Sequence, residues 1–166
     1  MILGMSTATF TLLHVVLSLV GIFSGVVVLF ELLGAKRRDG WTAIFLATTI
    51  LTSVTGFFFH SASFGPPHAI GVISLVVLTV AVLAFYVYRL GGFWRWLYVG
   101  GAVLALYLNV FVGVVQAFEK VPFLSRLAPT QSEPPFLVTQ LVVMAMFVVC
   151  GILAAMRFRP AAPRPA

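Results

Sequence analysis

Three histidines, His14, His60 and His68, stand within or beside long apolar stretches, where an imidazole needs a reason to be. A neutral imidazole nitrogen ligates iron or zinc. His14 with His68 or His60 therefore offers the two axial ligands of a b-type haem. Gly21, two turns from His14, and Gly71, one turn from His68, would leave room for the flat macrocycle. The three histidines together offer a divalent-metal site suited to zinc or copper, with Glu119 or Glu133 as the source of a fourth ligand. Asn109, Gln116 and Gln140 join them as ligand-binding candidates, because an amide in lipid wants a hydrogen-bond partner. A third use is a pocket for a quinone, lipid or other small lipophilic molecule, lined by Phe10, Phe57, Phe58, Phe64 and Phe136.

The same residues also read as packing. Thr7, Thr11, His14, Ser18, Gly21 and Gly25 recur at helical spacing, and Gly21 to Gly25 is a GxxxG segment of the kind that brings membrane helices together. Thr49, Ser53, Gly56 and His60 form a second such stripe, Asn109, Gly113 and Gln116 a third, and Gln140 with Met144 a fourth. Threonine hydroxyls satisfy themselves on the preceding turn of their own helix. Cys150 has no second cysteine to pair with and reads as packing.

The elements that position these residues follow from composition. Of 166 residues, 61% are hydrophobic and 8% charged, a balance that polar surface cannot cover in water, so the bilayer is the solvent. The pattern predicts an all-α membrane protein, a five-transmembrane-helix bundle with spans at about 7–33, 41–60, 68–90, 93–118 and 136–156. They form one domain over 1–157, and a Pro/Ala/Arg tail, 158–166, reads as disordered. Lys36, Arg37, Arg38, Arg89, Arg95, Arg157, Arg159 and Arg164 fall on one side of these spans, leaving Lys120 and Arg126 opposite. The positive-inside rule then puts the N-terminus outside and the C-terminus in the cytoplasm.

On this topology the three histidines and the amides occupy the outer half, where the 119–135 loop is able to cover them; Glu31 marks the cytoplasmic half and reads as an ion pair with Lys36 or Arg37. The net charge of +6 is distributed over loops and makes no nucleic-acid face. Phosphate-cradling loops, nucleophile elbows, HExxH and paired intramembrane carboxylates are absent, so the chain reads as non-enzymatic, with electron transfer open only if haem is held. The expected setting is a cell membrane crossed several times, the inner membrane of a bacterium. The leading expectation is an outer-leaflet histidine pocket for haem b, a metal or a small lipophilic ligand. The alternatives are a structural or assembly subunit, partnered by other membrane subunits or by its own copies, and a small transporter or channel. In size and number of spans the chain is similar to the tryptophan-rich translocator protein family. The Trp- and Pro-rich first loop of that family has no counterpart between Lys36 and Trp41, so the likeness stops there.

Overall fold

A computed structural model describes residues 2, 4–59 and 65–159. The described chain is helical, in the order α1 (Thr7–Leu33), α2 (Asp39–Gly56), α3 (Pro66–Val82), α4 (Trp94–Lys120), α5 (Pro122–Leu127) and α6 (Pro134–Arg157), with α3 prolonged by a π-helical turn, Leu83–Val87. Among the described residues, four helices are long and apolar enough to cross a membrane: α1, α3 with its π turn, α4 and α6, with mean hydropathies of 2.5, 2.7, 2.0 and 2.6. α2 is not among them. It has 18 residues, opens on Asp39 and is rich in threonine. His60, at the expected end of the second span, and residues 160–166 of the expected tail lie outside the described residues.

Local chemistry accounts for the helix ends. Ser6 caps α1, its hydroxyl accepting from the Thr9 N–H at 3.1 Å. Pro66 and Pro134 open α3 and α6, where a missing N–H costs nothing. α1 stops in a reversed turn in which the Lys36 N–H donates to the Glu31 carbonyl at 2.8 Å and Ala35 takes a left-handed φ of 53°. α5 was not expected. Its six residues begin with Pro122 inside the stretch read as a loop, too few to show a helical period.

α4 is the centre of the bundle, with α1, α3, α5 and α6 packed on it; α2 lies between α1 and α3. Tyr98, Val99, Ala102, Ala105 and Leu106 of α4 are buried together with Val28 of α1, Phe45 of α2, and Leu78 and Phe85 from α3 and its π turn. Lipid is as apolar as these side chains, so close contact rather than escape from solvent holds such helices together. Gly25 shows how close. A Cβ placed there would stand 2.6 Å from Leu106 Cδ1 and 2.8 Å from the Phe45 ring, both residues being buried.

Candidate functional site

The described candidates from the sequence are dispersed by the fold. His14 lies on the α1 face against α2, its Nδ1 2.8 Å from Thr55 Oγ1 and its ring edge-on to Phe59. The Thr55 hydroxyl is also 2.7 Å from the Leu51 carbonyl, which takes its one proton, so His14 Nδ1–H is the donor in the His14–Thr55 pair. The lone pair of His14 is then on Nε2. His68 sits at the start of α3, where its Nδ1 accepts the Gly65 N–H at 3.3 Å, and its ring lies near Phe57. A neutral ring used in that way carries its proton on Nε2, which makes that nitrogen a donor rather than a ligand.

Thr55, Gly56 and Phe59, which meet His14, are on one side of the end of α2; Phe57, which meets His68, is about half a helical turn away. The two imidazoles therefore flank α2 from opposite sides and do not face each other. The flat group that lies on Gly71 is the Phe57 ring, 3.0 Å from where a Cβ would be. Among the described residues, no three His, Cys, Asp or Glu side chains gather in a way that could hold a metal ion.

The amides are engaged with backbone or with each other's neighbours. Asn109 Nδ2 reaches the Ser18 carbonyl at 3.5 Å, and it crowds the space over Gly21 together with Thr49 and Thr48. A Cβ on Gly21 would meet Asn109 Nδ2 at 3.0 Å and Thr49 Oγ1 at 3.1 Å. Gln140 Nε2 donates to the Phe111 carbonyl at 3.2 Å, tying α6 to α4. Gln116 is exposed and bonds Glu119, one turn along its own helix. The small-residue stripe of α1 is thus a seam in which α1, α2 and α4 touch, legible in the sequence as a GxxxG segment.

Two further features stand at the ends of the bundle. The first is at the end where Glu133 precedes α6. Its carboxylate accepts the Thr130 N–H at 3.1 Å, the Thr130 hydroxyl at 2.9 Å and the Ser132 N–H at 3.1 Å. Partial desolvation raises its pKa, but these bonds from Thr130, Ser132 and its own backbone outweigh that and hold the carboxyl below its ordinary range. With Ala128 buried against Phe118 and Phe136, the loop is clipped onto the ends of α4 and α6. A run of Thr, Ser and Glu beside a proline was the available signal.

The second is at the opposite end, where α1 meets α2. Arg37 makes a two-pronged pair with Asp39, at 2.7 and 3.1 Å, and lies 4.5 Å over the Phe85 ring of the π turn. Tyr98 and Thr42 share a buried hydrogen bond of 3.2 Å, and Arg95 donates to the carbonyls of Ala155 and Phe158. Glu31 pairs with neither Lys36 nor Arg37 as expected. Its nearest cation is Arg38, with Nε 3.7 Å away, because the reversed turn carries Arg37 toward Asp39 and Phe85. Glu31 is only 9% exposed, and its Oε1 has no hydrogen-bond partner among the described residues. Beside it opens a groove of about 300 Å³, lined by Val27, Phe30, Glu31, Gly34, Lys36 and Arg38.

No family model, curated protein or solved structure matches this chain.

Proposed function

We propose that the chain is a non-enzymatic, multi-pass membrane protein acting as a structural or assembly subunit, with its interior polar residues serving to lock helix to helix. The observation that carries this reading is the engagement of its described polar candidates. His14 is held by Thr55, Asn109 Nδ2 by the Ser18 carbonyl and Gln140 Nε2 by the Phe111 carbonyl, each across a pair of helices, while His68 closes the start of its own helix on the Gly65 N–H. In hydrocarbon such bonds fix register and spacing between helices. The apolar flanks of α1 and α6, with Leu12, Leu19, Phe23, Leu141, Val142 and Met146 exposed, suit lipid or the helices of partner subunits.

In this reading α2 is a fifth span. Three of its hydroxyls bond their own helix, Thr48 on the Ile44 carbonyl, Ser53 on Thr49 and Thr55 on Leu51, while Thr49 and Thr52 have no hydrogen-bond partner among the described residues; α1 and α3 flank it and shield these groups from lipid. Eight of the ten Lys and Arg residues then fall on one side, supporting a cytoplasmic C-terminus and an external N-terminus in a bacterial inner membrane. A ligand at His14 is the second reading. It is favoured by the half-buried Nε2 lone pair, which has no hydrogen-bond partner among the described residues and suits a lipophilic ligand with a hydroxyl or a metal ion.

One preparation decides between them. The protein purified in mild detergent is expected to be colourless and metal-free, with His14→Ala, Asn109→Ala and Gln140→Ala each lowering stability by about 0.5–1.5 kcal/mol in thermal unfolding. A Soret band, or stoichiometric metal, that vanishes in His14→Ala would overturn the structural reading in favour of the cofactor.

A further inference from the structure

The groove beside Glu31 combines three features that a lipid headgroup needs. Lys36 and Arg38 supply positive charge at its rim, Glu31 supplies a buried carboxylate oxygen with no hydrogen-bond partner among the described residues, and Val27 and Phe30 continue the groove as an apolar wall along α1. Its volume of about 300 Å³ is at the lower end of small-ligand sites. A buried carboxylate is costly unless something donates to it, and Arg38, which is 64% exposed, stands beyond hydrogen-bond distance at 3.7 Å.

We propose that this groove binds the headgroup of a phospholipid bearing a primary ammonium, phosphatidylethanolamine being the simplest. The phosphate lies between Lys36 and Arg38, the ammonium pairs with the Glu31 carboxylate where it lines the groove, and one acyl chain follows Val27 and Phe30 into the bilayer. Charge complementarity selects this occupant. An anionic headgroup such as phosphatidylglycerol satisfies the two cations but meets the Glu31 carboxylate with like charge. A choline headgroup matches the charges but has no N–H to donate. The proposal goes beyond the structural role and requires only that α1 cross the bilayer.

The test uses the full chain, purified and offered equimolar phosphatidylethanolamine, phosphatidylcholine and phosphatidylglycerol, with retained lipid counted by native mass spectrometry. Phosphatidylethanolamine is expected in about tenfold excess over phosphatidylcholine, the ratio given by one charge-assisted contact. Glu31→Gln is expected to invert the order, with phosphatidylglycerol retained above phosphatidylethanolamine, since the repulsion disappears while both cations stay. Lys36→Gln with Arg38→Gln, at exposed positions that leave the bundle intact, is expected to lower retention of both lipids. Arg126→Gln, on α5 at the other end, leaves the order as it was. Equal retention of the three lipids, or a phosphatidylglycerol preference in the unaltered protein, overturns the proposal. So does an ethanolamine preference that survives Glu31→Gln.

Discussion

Glu31 and Glu133 stand at opposite ends of the bundle and have opposite surroundings. Glu133 faces solvent yet receives two backbone N–H groups and a hydroxyl; Glu31 is buried yet its Oε1 receives nothing from the described residues. Exposure alone would predict the reverse, because a buried charge needs donors more than an exposed one does. The difference separates an acid that organises its own loop from an acid held only by a loose ion pair with Arg38. Folding satisfies Glu133 completely, since its partners lie one and three residues away in the chain. The partners available to Glu31 are set by the α1–α2 turn, and that turn sends Arg37 to Asp39 and Phe85.

The largest expected effect comes from disturbing the helix spacing on which both ends depend. In Gly25→Ala the new methyl enters the space of Leu106 and Phe45, neither of which can move into solvent or lipid, and the cost is about 1–3 kcal/mol in thermal or denaturant unfolding. An unchanged midpoint would mean that α1 is not clamped to α2 and α4 as described. Glu31→Met comes next. Replacing the carboxylate by an apolar side chain of similar length removes a desolvated oxygen that has no hydrogen bond and only a loose ion pair with the exposed Arg38, so lipid-stripped protein gains about 1 kcal/mol. In bilayers containing phosphatidylethanolamine the gain shrinks, because the unaltered protein then has its donor. A loss of stability in lipid-free detergent would make Glu31 a satisfied structural acid and erase the contrast with Glu133.

Helical spacing made the seam legible and left the pairing of its faces hidden. The stripe from His14 through Gly25 identified the contacting side of α1, and Gly21 and Gly25 gave the point of closest approach. Period along one helix says nothing about which neighbour a face meets. His14 and His68 therefore seemed able to share a ligand in one dimension, although α2 lies between them in three. His68 was hidden for a second reason, that a histidine three residues after Gly65 closes the helix start with its own ring nitrogen. Glu31 was visible as a charge near other charges. Its pairing with Arg38 rather than Lys36 or Arg37 was not, because that depends on Ala35 adopting a left-handed φ in a turn where the adjacent Gly34 is the residue better suited to it. The α5 helix has too few residues to register a period, and its Pro122 marked a start without marking an element.

The smallest expected effect belongs to Glu133 and carries a defined sign in pH. Its carboxyl is held below the ordinary range in the folded loop, so the ionised form is the one that the loop stabilises. That contribution is complete above the ordinary carboxyl pKa of about 4.3 and is lost as pH falls through the lowered value of the folded state. Between those limits the hydrogen bonds to Thr130 and Ser132 persist while an unrestrained glutamate is already protonated. The protection factors of the Thr130 and Ser132 amides, followed from pH 6 downward, are expected to hold through the ordinary range and fall only below it. In Glu133→Gln the pH step disappears, because the amide oxygen accepts the same bonds weakly at every pH. Protection that tracks an ordinary glutamate titration would show that the loop leaves its acid unperturbed, and the two ends would then differ in burial alone.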